Sequence, residues 1–152
     1  MNKYLKITEV INESELQSVR IIRNECKQFM TRNNQDITEE QQSLWYRNLD
    51  RKNNWLFIFQ KGDGDVLHPI GYGFNRIENN SVLLTGGLSE PERGRGYGKI
   101  LFTFLLGHAT SFRMPICLEV LKSNTNAKKL YENIGFLTTN EEQHVIKMEY
   151  RK

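Results

Sequence analysis

Arg93-Gly94-Arg95-Gly96-Tyr97-Gly98-Lys99 sets three glycines and three cations between two apolar runs, Ser81-Val82-Leu83-Leu84-Thr85 before it and Ile100-Leu101-Phe102-Thr103-Phe104-Leu105-Leu106 after it. These glycines therefore sit inside a packed strand–loop–helix unit. Glycine lets the main chain turn and approach a ligand closely, so that successive N–H groups converge on anionic oxygens, and the following helix adds its positive N-terminal end. Such a loop is a backbone phosphate cradle. A bound phosphoryl group is the expected consequence.

Two plainer readings compete with it, a simple glycine-rich turn and a flexible Arg-Gly tract for RNA. The apolar flanks argue against the second. A P-loop lacks its closing Ser or Thr, because Lys99 is followed by Ile100. The glycines at 94, 96 and 98 also read G-x-G-x-G, which fails the spacing of a dinucleotide fingerprint.

The chain has 152 residues, 38% of them hydrophobic, which predicts one domain over 1–152 with a real core. Its formal charge of +3 equals what Arg93, Arg95 and Lys99 carry between them. That points to a local anionic ligand and away from a nucleic-acid face. Cys26 and Cys117 lie far apart with no signal-peptide pattern, so a disulfide framework is not expected and a cytoplasmic location is. The apolar runs are too short for a membrane span. His68, His108 and His144 are scattered, without metal-ligand spacing, and read as surface or boundary residues; no metal is expected.

Along the chain, Tyr4 to Val10 alternates as a half-buried strand, and Leu16, Val19, Ile22, Cys26 and Phe29 recur at helical spacing to about Met30. Thr38-Glu39-Glu40-Gln41 reads as a capping box opening a helix to about Leu49. Strands follow at 54–60 and 66–78, joined by a hairpin turn at 61–65, with Pro69 predicting a bulged start to the second. A strand at 81–88, a helix over 97–111, a strand at 116–120, a helix over 124–133 stopped by Gly135, and two short strands at 136–140 and 143–150 complete the order. The order β-α-α-β-β-β-α-β-α-β-β predicts an α/β (α+β) fold. It is a mixed, mostly antiparallel sheet of about seven strands with helices on both faces.

The run Arg93-x-x-Gly96-x-Gly98 resembles the acetyl-CoA pyrophosphate loop of the GNAT N-acetyltransferase superfamily. A second block, Ser123-Asn124-x-x-Ala127-x-x-Leu130-Tyr131-Glu132-x-x-Gly135-Phe136, resembles that superfamily's late helix and the corner after it. Two motifs in order are more specific than either alone; the first 80 residues match in pattern only. The resemblance implies acetyl-CoA as co-substrate, held by main-chain N–H groups of residues 94 to 99 within the loop Arg93, Gly94, Arg95, Gly96, Tyr97, Gly98 and Lys99. It also implies that the strand ending Gly86-Gly87-Leu88 pairs with the pantetheine arm, and that Asn124 hydrogen-bonds the cofactor, although helix capping would also explain Asn124. Read from the residues, Gly86 and Gly87 signal either a bulge or a ligand close to the backbone.

Acetyl transfer needs an uncharged amine, stabilisation of a developing oxyanion and a proton for the departing thiolate. Tyr131 matches the family tyrosine that serves as general acid. Glu119, twelve residues earlier, resembles the glutamate proposed as base in the ribosomal-protein N-terminal alanine acetyltransferases, and reads equally as a solvent-facing strand carboxylate. Residues 82 to 88 lack the carboxylate that many members carry there. Glu78 or a water chain is then the alternative base.

The resemblance implies an acceptor side built from the first two helices, the loop between them and the C-terminal strand pair. Arg23, Asn24, Phe29, Met30, Thr31 and Arg32 end the first of these helices, with Gln42, Trp45 and Tyr46 on the next, and the run Arg23-Asn24 followed by Phe29-Met30-Thr31 resembles acetyltransferases of amino sugars or small metabolites. Phe29 and Trp45 read equally as core or rim aromatics. The function implied is acetyl transfer, by direct attack, to a primary amine of a small metabolite, an amino sugar or a protein or peptide. A different acyl group on the same scaffold, or a non-catalytic acyl-CoA-binding or sensing module, are the alternatives. A homodimer is expected by analogy with the family.

Overall fold

A computed structural model describes residues 3–151. Its elements are β1 (Lys3–Glu9), α1 (Glu13–Glu25), α2 (Glu39–Arg47), β2 (Asn54–Asp63), β3 (Val66–Glu78), β4 (Ser81–Leu88), α3 (Tyr97–Thr110), β5 (Ile116–Leu121), α4 (Thr125–Ile134), β6 (Phe136–Glu141) and β7 (Val145–Tyr150). The order is the one expected. Short 3₁₀ turns at Lys27–Phe29 and Glu90–Glu92 interrupt the loops.

The seven strands form one sheet in the order β1-β2-β3-β4-β5-β7-β6, antiparallel throughout except for β4 beside β5. Alternation along β2 sends Phe57 and Phe59 to one face and Leu56 and Ile58 to the other. Phe57 and Phe59 meet Leu101, Phe102 and Leu105 of α3 and Tyr131 of α4, while Leu56 and Ile58 meet Leu16, Val19 and Ile22 of α1. Each of these large apolar side chains contributes roughly 1.5–3 kcal/mol when taken fully from water.

The helix starts follow from side-chain caps. Asn12 accepts from the Glu15 N–H at 2.9 Å, and Thr38 and Gln41 form a reciprocal capping box. Helix α1 ends at Glu25, short of the expected Met30, because the Cys26 N–H turns back to the Arg23 and Asn24 carbonyls and the chain tightens into a 3₁₀ turn. β1 is an edge strand and more exposed than its alternation predicted. Strand β2 extends through Asp63, which shortens the expected turn. Gly62 is a paired strand residue, and a Cβ there would lie 2.3 Å from the Tyr4 ring.

The bulge expected near Pro69 is present. Phe59 pairs with Gly71 but Gln60 with Pro69, leaving Ile70 as the extra residue. No bulge occurs at Gly86 and Gly87, whose register with Gly73 and Tyr72 is unbroken. The reason for glycine there is close packing. A Cβ on Gly86 would sit 3.1 Å from Leu101, and one on Gly87 would sit 2.7 Å from Cys26 Sγ.

Strands β4 and β5 pair only at Val82–Ile116 and Leu83–Cys117. Beyond that they diverge, and the edge of β4 from Leu84 to Leu88 loses its neighbour. The sheet opens there into a wedge.

Candidate active site

The wedge is the centre of a cavity of about 950 Å³ that runs from the α1–α2 side to the α3–α4 side. Its walls include Gly86, Gly87 and Leu88 of β4, Arg93, Gly94, Gly96, Gly98 and Lys99 of the loop, Asn124 and Tyr131 at α4, and Glu119 of β5. Residues gathered from the sequence thus converge on one space. Arg95 and Tyr97 do not: they line a separate depression with Lys61 and His68, and the Tyr97 ring packs edge-on against Phe59.

The loop geometry follows from its glycines. Gly94 and Gly96 hold φ values of +77° and +88°, in the left-handed region that glycine enters without strain. Nothing lies within 4 Å of where their Cβ atoms would be, so the loop borders open space. Gly96 caps α3 without a side chain, and no described loop or cap bond uses the N–H groups of residues 94 to 99. Free N–H groups at the start of a 14-residue helix suit an anionic phosphate group.

Arg93 stands apart from the other loop cations. Its guanidinium turns inward, donating to the Leu88 carbonyl at 3.2 Å and the Glu25 carbonyl at 3.0 Å, and lies over the Phe29 ring. The side chain braces the loop against α1. Cys26 joins the same knot, its thiol donating to the Leu88 carbonyl at 3.2 Å, and burial pushes that thiol's pKa up.

Asn124 is the N-cap of α4, accepting from the Ala127 N–H at 3.3 Å. Two turns later Tyr131 is almost wholly enclosed, its ring 4.8 Å from that of Phe102. Burial alone raises its phenol well above the ordinary value, so the hydroxyl carries its proton throughout the neutral range. A protonated phenol at the wedge can donate.

Glu119 lies on the opposite face of the sheet from its buried neighbours Leu118 and Val120. It is not solvent-facing. Its side chain is only 14% exposed and is held by Arg32, which donates through Nε at 3.0 Å and Nη2 at 2.9 Å, and by Thr31 Oγ1 at 3.0 Å. The same guanidinium reaches Glu78 at 3.0 and 2.8 Å. Both carboxyls are held below their ordinary pKa, chiefly by Arg32.

The rest of the acceptor side is built by the loop between α1 and α2. Asn24 exchanges two hydrogen bonds with the Ile37 main chain, and Arg23 donates to the Asn33 and Gln35 carbonyls, so the loop is pinned at several points. Phe29 and Trp45 are rim aromatics, each 38% exposed, and Trp45 meets Phe74 edge-on. Gln42 and Arg76 line the same cavity. Arg76 escaped the sequence reading; its one signal was its place two residues before Glu78, on the same face of β3. The joining of Arg32 to Glu78 and Glu119 was equally hidden, since 46 and 87 residues separate the partners.

A seven-stranded sheet opened between two parallel strands, with a glycine loop at the head of α3 beside the opening, defines an acetyltransferase fold. The chain belongs to the acetyltransferase (GNAT) family, whose model matches residues 16–136. The Bacillus subtilis (strain 168) protein named "Uncharacterized N-acetyltransferase YycN" is 32% identical over 99 residues, covering 63% of this chain and 56% of that relative. The chain thus spans little more than half the length of the curated relative it matches. Among solved structures, a domain from Methanocaldococcus jannaschii superposes with a TM-score of 0.83 at 14% identity, covering 97% of this chain and 98% of the other. The spermidine N-acetyltransferase of Vibrio cholerae, in complex with CoA and spermine, gives 0.80 at 18% identity, covering 95% and 94%. These structural likenesses establish the fold. Among the described residues no His/Cys/Asp/Glu group could hold a metal, and no helix is long and apolar enough to cross a membrane.

Proposed function

We propose that residues 1–152 form one N-acetyltransferase domain that moves an acetyl group from acetyl-CoA directly to a primary amine. The observation that carries this reading is the wedge itself. It brings the open N–H groups of the loop and the protonated Tyr131 to one cavity that continues to the α1–α2 side. When bound, acetyl-CoA supplies the activated acetyl group and a thiolate leaving group.

The chain's own residues fit that donor. The N–H groups of residues 94 to 99 would hold the pyrophosphate, the unpaired edge of β4 at Gly87 and Leu88 would pair with the pantetheine arm, and Asn124 would close the far side. Lys99 adds a cation to the same wall. Arg95 and Tyr97 would contribute their main-chain N–H groups, and Arg93 would hold the loop in place. Tyr131 would give its proton to the departing sulfur. Glu119 is the provisional base, acting on the amine directly or through water, with Glu78 as the alternative. Free Cys26 and Cys117 suit a reducing compartment, and we place the protein in the cytoplasm.

Calorimetric titration with CoA tests the cradle, and turnover of Tyr131→Phe tests the chemistry. Saturable CoA binding is expected. Loss of the phenol should cut kcat about a hundredfold while leaving CoA affinity unchanged, because Phe keeps the tilted ring contact with Phe102. Absence of CoA binding at about 1 mM would refute the reading. Binding without transfer to any amine would favour an acyl-CoA-binding module instead.

A further inference from the structure

We propose that Arg76 holds a carboxylate of the acceptor, so that the amine to be acetylated belongs to an amino acid. This substrate class rests on the acetyl-transfer reading and deepens it, since both use the same cavity.

Other arginines that line the cavity are bonded to the protein. Arg23 donates to the Asn33 and Gln35 carbonyls, Arg32 to Glu78 and Glu119, and Arg93 to the Leu88 and Glu25 carbonyls. Arg76 differs. Its Nε–H is buried and has no hydrogen-bond partner among the described residues. Glu78 Oε1 is 3.6 Å from Nε, beyond hydrogen-bond reach, and both Glu78 oxygens already accept from Arg32, at 3.0 and 2.8 Å. Burial lowers the pKa of the Arg76 guanidinium; the Glu78 charge opposes this, the Arg32 charge adds to it and the Glu119 charge opposes it. A buried donor left unpaired costs free energy unless something bonds to it.

The surroundings define what fits. The central carbon of the guanidinium lies 6.0 Å from the Phe74 ring centroid, and Trp45 meets that ring edge-on. Aromatic walls of this kind lower the local dielectric and strengthen a charge-assisted hydrogen bond. A guanidinium presents Nε–H and one Nη–H side by side, and these two parallel donors match the two oxygens of a carboxylate.

The register of the sheet places Arg76 at the closed end of the wedge. It stands opposite Leu83, the last residue of β4 paired with β5, and Leu83 in turn pairs with Cys117, two residues before Glu119. One strand step of about 3.4 Å leads from Leu83 to Leu84, where the wedge opens. An acceptor that carries its two groups on a short carbon frame thus sets its carboxylate at Arg76 and its amine at the opening, on the side of Glu119.

The probes are the standard amino acids, each beside its own carboxamide, titrated calorimetrically into the full chain with and without saturating CoA. At least one amino acid should bind about tenfold more tightly than its amide. Arg76→Gln should weaken that amino acid about tenfold to a hundredfold and leave the amide unchanged, which erases the preference. Arg76→Lys, which keeps the charge and loses the fork, should fall between. An unaltered CoA affinity in both variants shows the fold intact. No amino acid bound at about 10 mM, no preference over the amide, or a preference that survives Arg76→Gln overturns the carboxylate site. Failure to bind CoA with the amino-acid results intact would instead overturn the acetyl-transfer reading.

Discussion

Arg93 Nη2 lies 3.0 Å from the Glu25 carbonyl oxygen, joining the start of the glycine loop to the end of α1. The same side chain donates to the Leu88 carbonyl at the end of β4. The end of α1 is thus tied to the β4–loop junction by one planar donor set, a task for which lysine is a poor substitute. Arg93→Lys should therefore lose about 1–3 kcal/mol of stability and weaken CoA binding, although the charge is kept. Denaturant unfolding and calorimetry on the same variant measure both. Wild-type CoA affinity in Arg93→Lys would assign the residue a simple charge role.

Gly87 and Cys26 are predicted to be coupled. A Cβ on Gly87 would meet Cys26 Sγ at 2.7 Å, so Gly87→Ala forces one of the two segments to move. The expected cost is about 1–3 kcal/mol, partly restored by Cys26→Ala in the double variant. A double-mutant cycle of unfolding free energies checks this. Strict additivity would mean that the contact is not what excludes a side chain.

Glu119 sets an acid limb of stability. Its carboxyl is held below the ordinary value chiefly by hydrogen bonds from Arg32, with Thr31 helping and burial opposing, while the Arg32 and Lys147 charges add to the lowering. A depressed folded value means the contribution is fully present above the ordinary glutamate value of about 4.3 and is lost as pH falls through the folded value. The melting temperatures of wild type and Glu119→Gln should therefore begin to converge as pH falls below about 4.3 and go on converging through the folded value beneath it. A gap independent of pH would contradict the ion pair. Glu119 stays ionised at neutral pH, so a rate limb between about pH 7 and 10 would report the acceptor amine.

Asn75 fixes the state of His108. Its amide Nδ2 donates to the Leu105 carbonyl at 3.0 Å, which orients the group, and the same nitrogen faces His108 Nδ1 at 3.0 Å. Nδ1 must then accept, and the ring is neutral. Burial between Trp55, Phe57 and Phe112 lowers the imidazole pKa, with Glu9 opposing. The unfolded chain takes up the proton first, so stability should decline as pH drops below about 6.5. Replacing His108 with Phe should flatten that decline in a series of thermal melts between about pH 5 and 8. A wild-type decline retained in full would place the titrating group elsewhere.

Local signals carried most of the element order. Thr38 and Gln41 formed their capping box, and Pro69 marked its bulge, because each is decided by residues within a few positions. Boundaries failed where tertiary contacts took over. Helix α1 stops at Glu25 with no glycine or proline to announce it, at the point where Arg93 takes the Glu25 carbonyl. The glycine pair at 86 and 87 was legible as unusual but not as packing, since its reason lies in Cys26 and Leu101. At the site, the loop glycines, Asn124 and Tyr131 could be placed from two motifs. Arg32's hold on Glu119 could not, because no spacing rule links a loop residue to a strand 87 positions away.

Amine-dependent release of free thiol from acetyl-CoA, measured with the purified chain across a panel of primary amines, reaches the proposed activity most directly. Release above the enzyme-free rate with at least one amine, accompanied by the acetylated product at one equivalent per thiol, is the predicted result. No release with any amine, together with no saturable CoA binding, would contradict acetyl transfer by this chain.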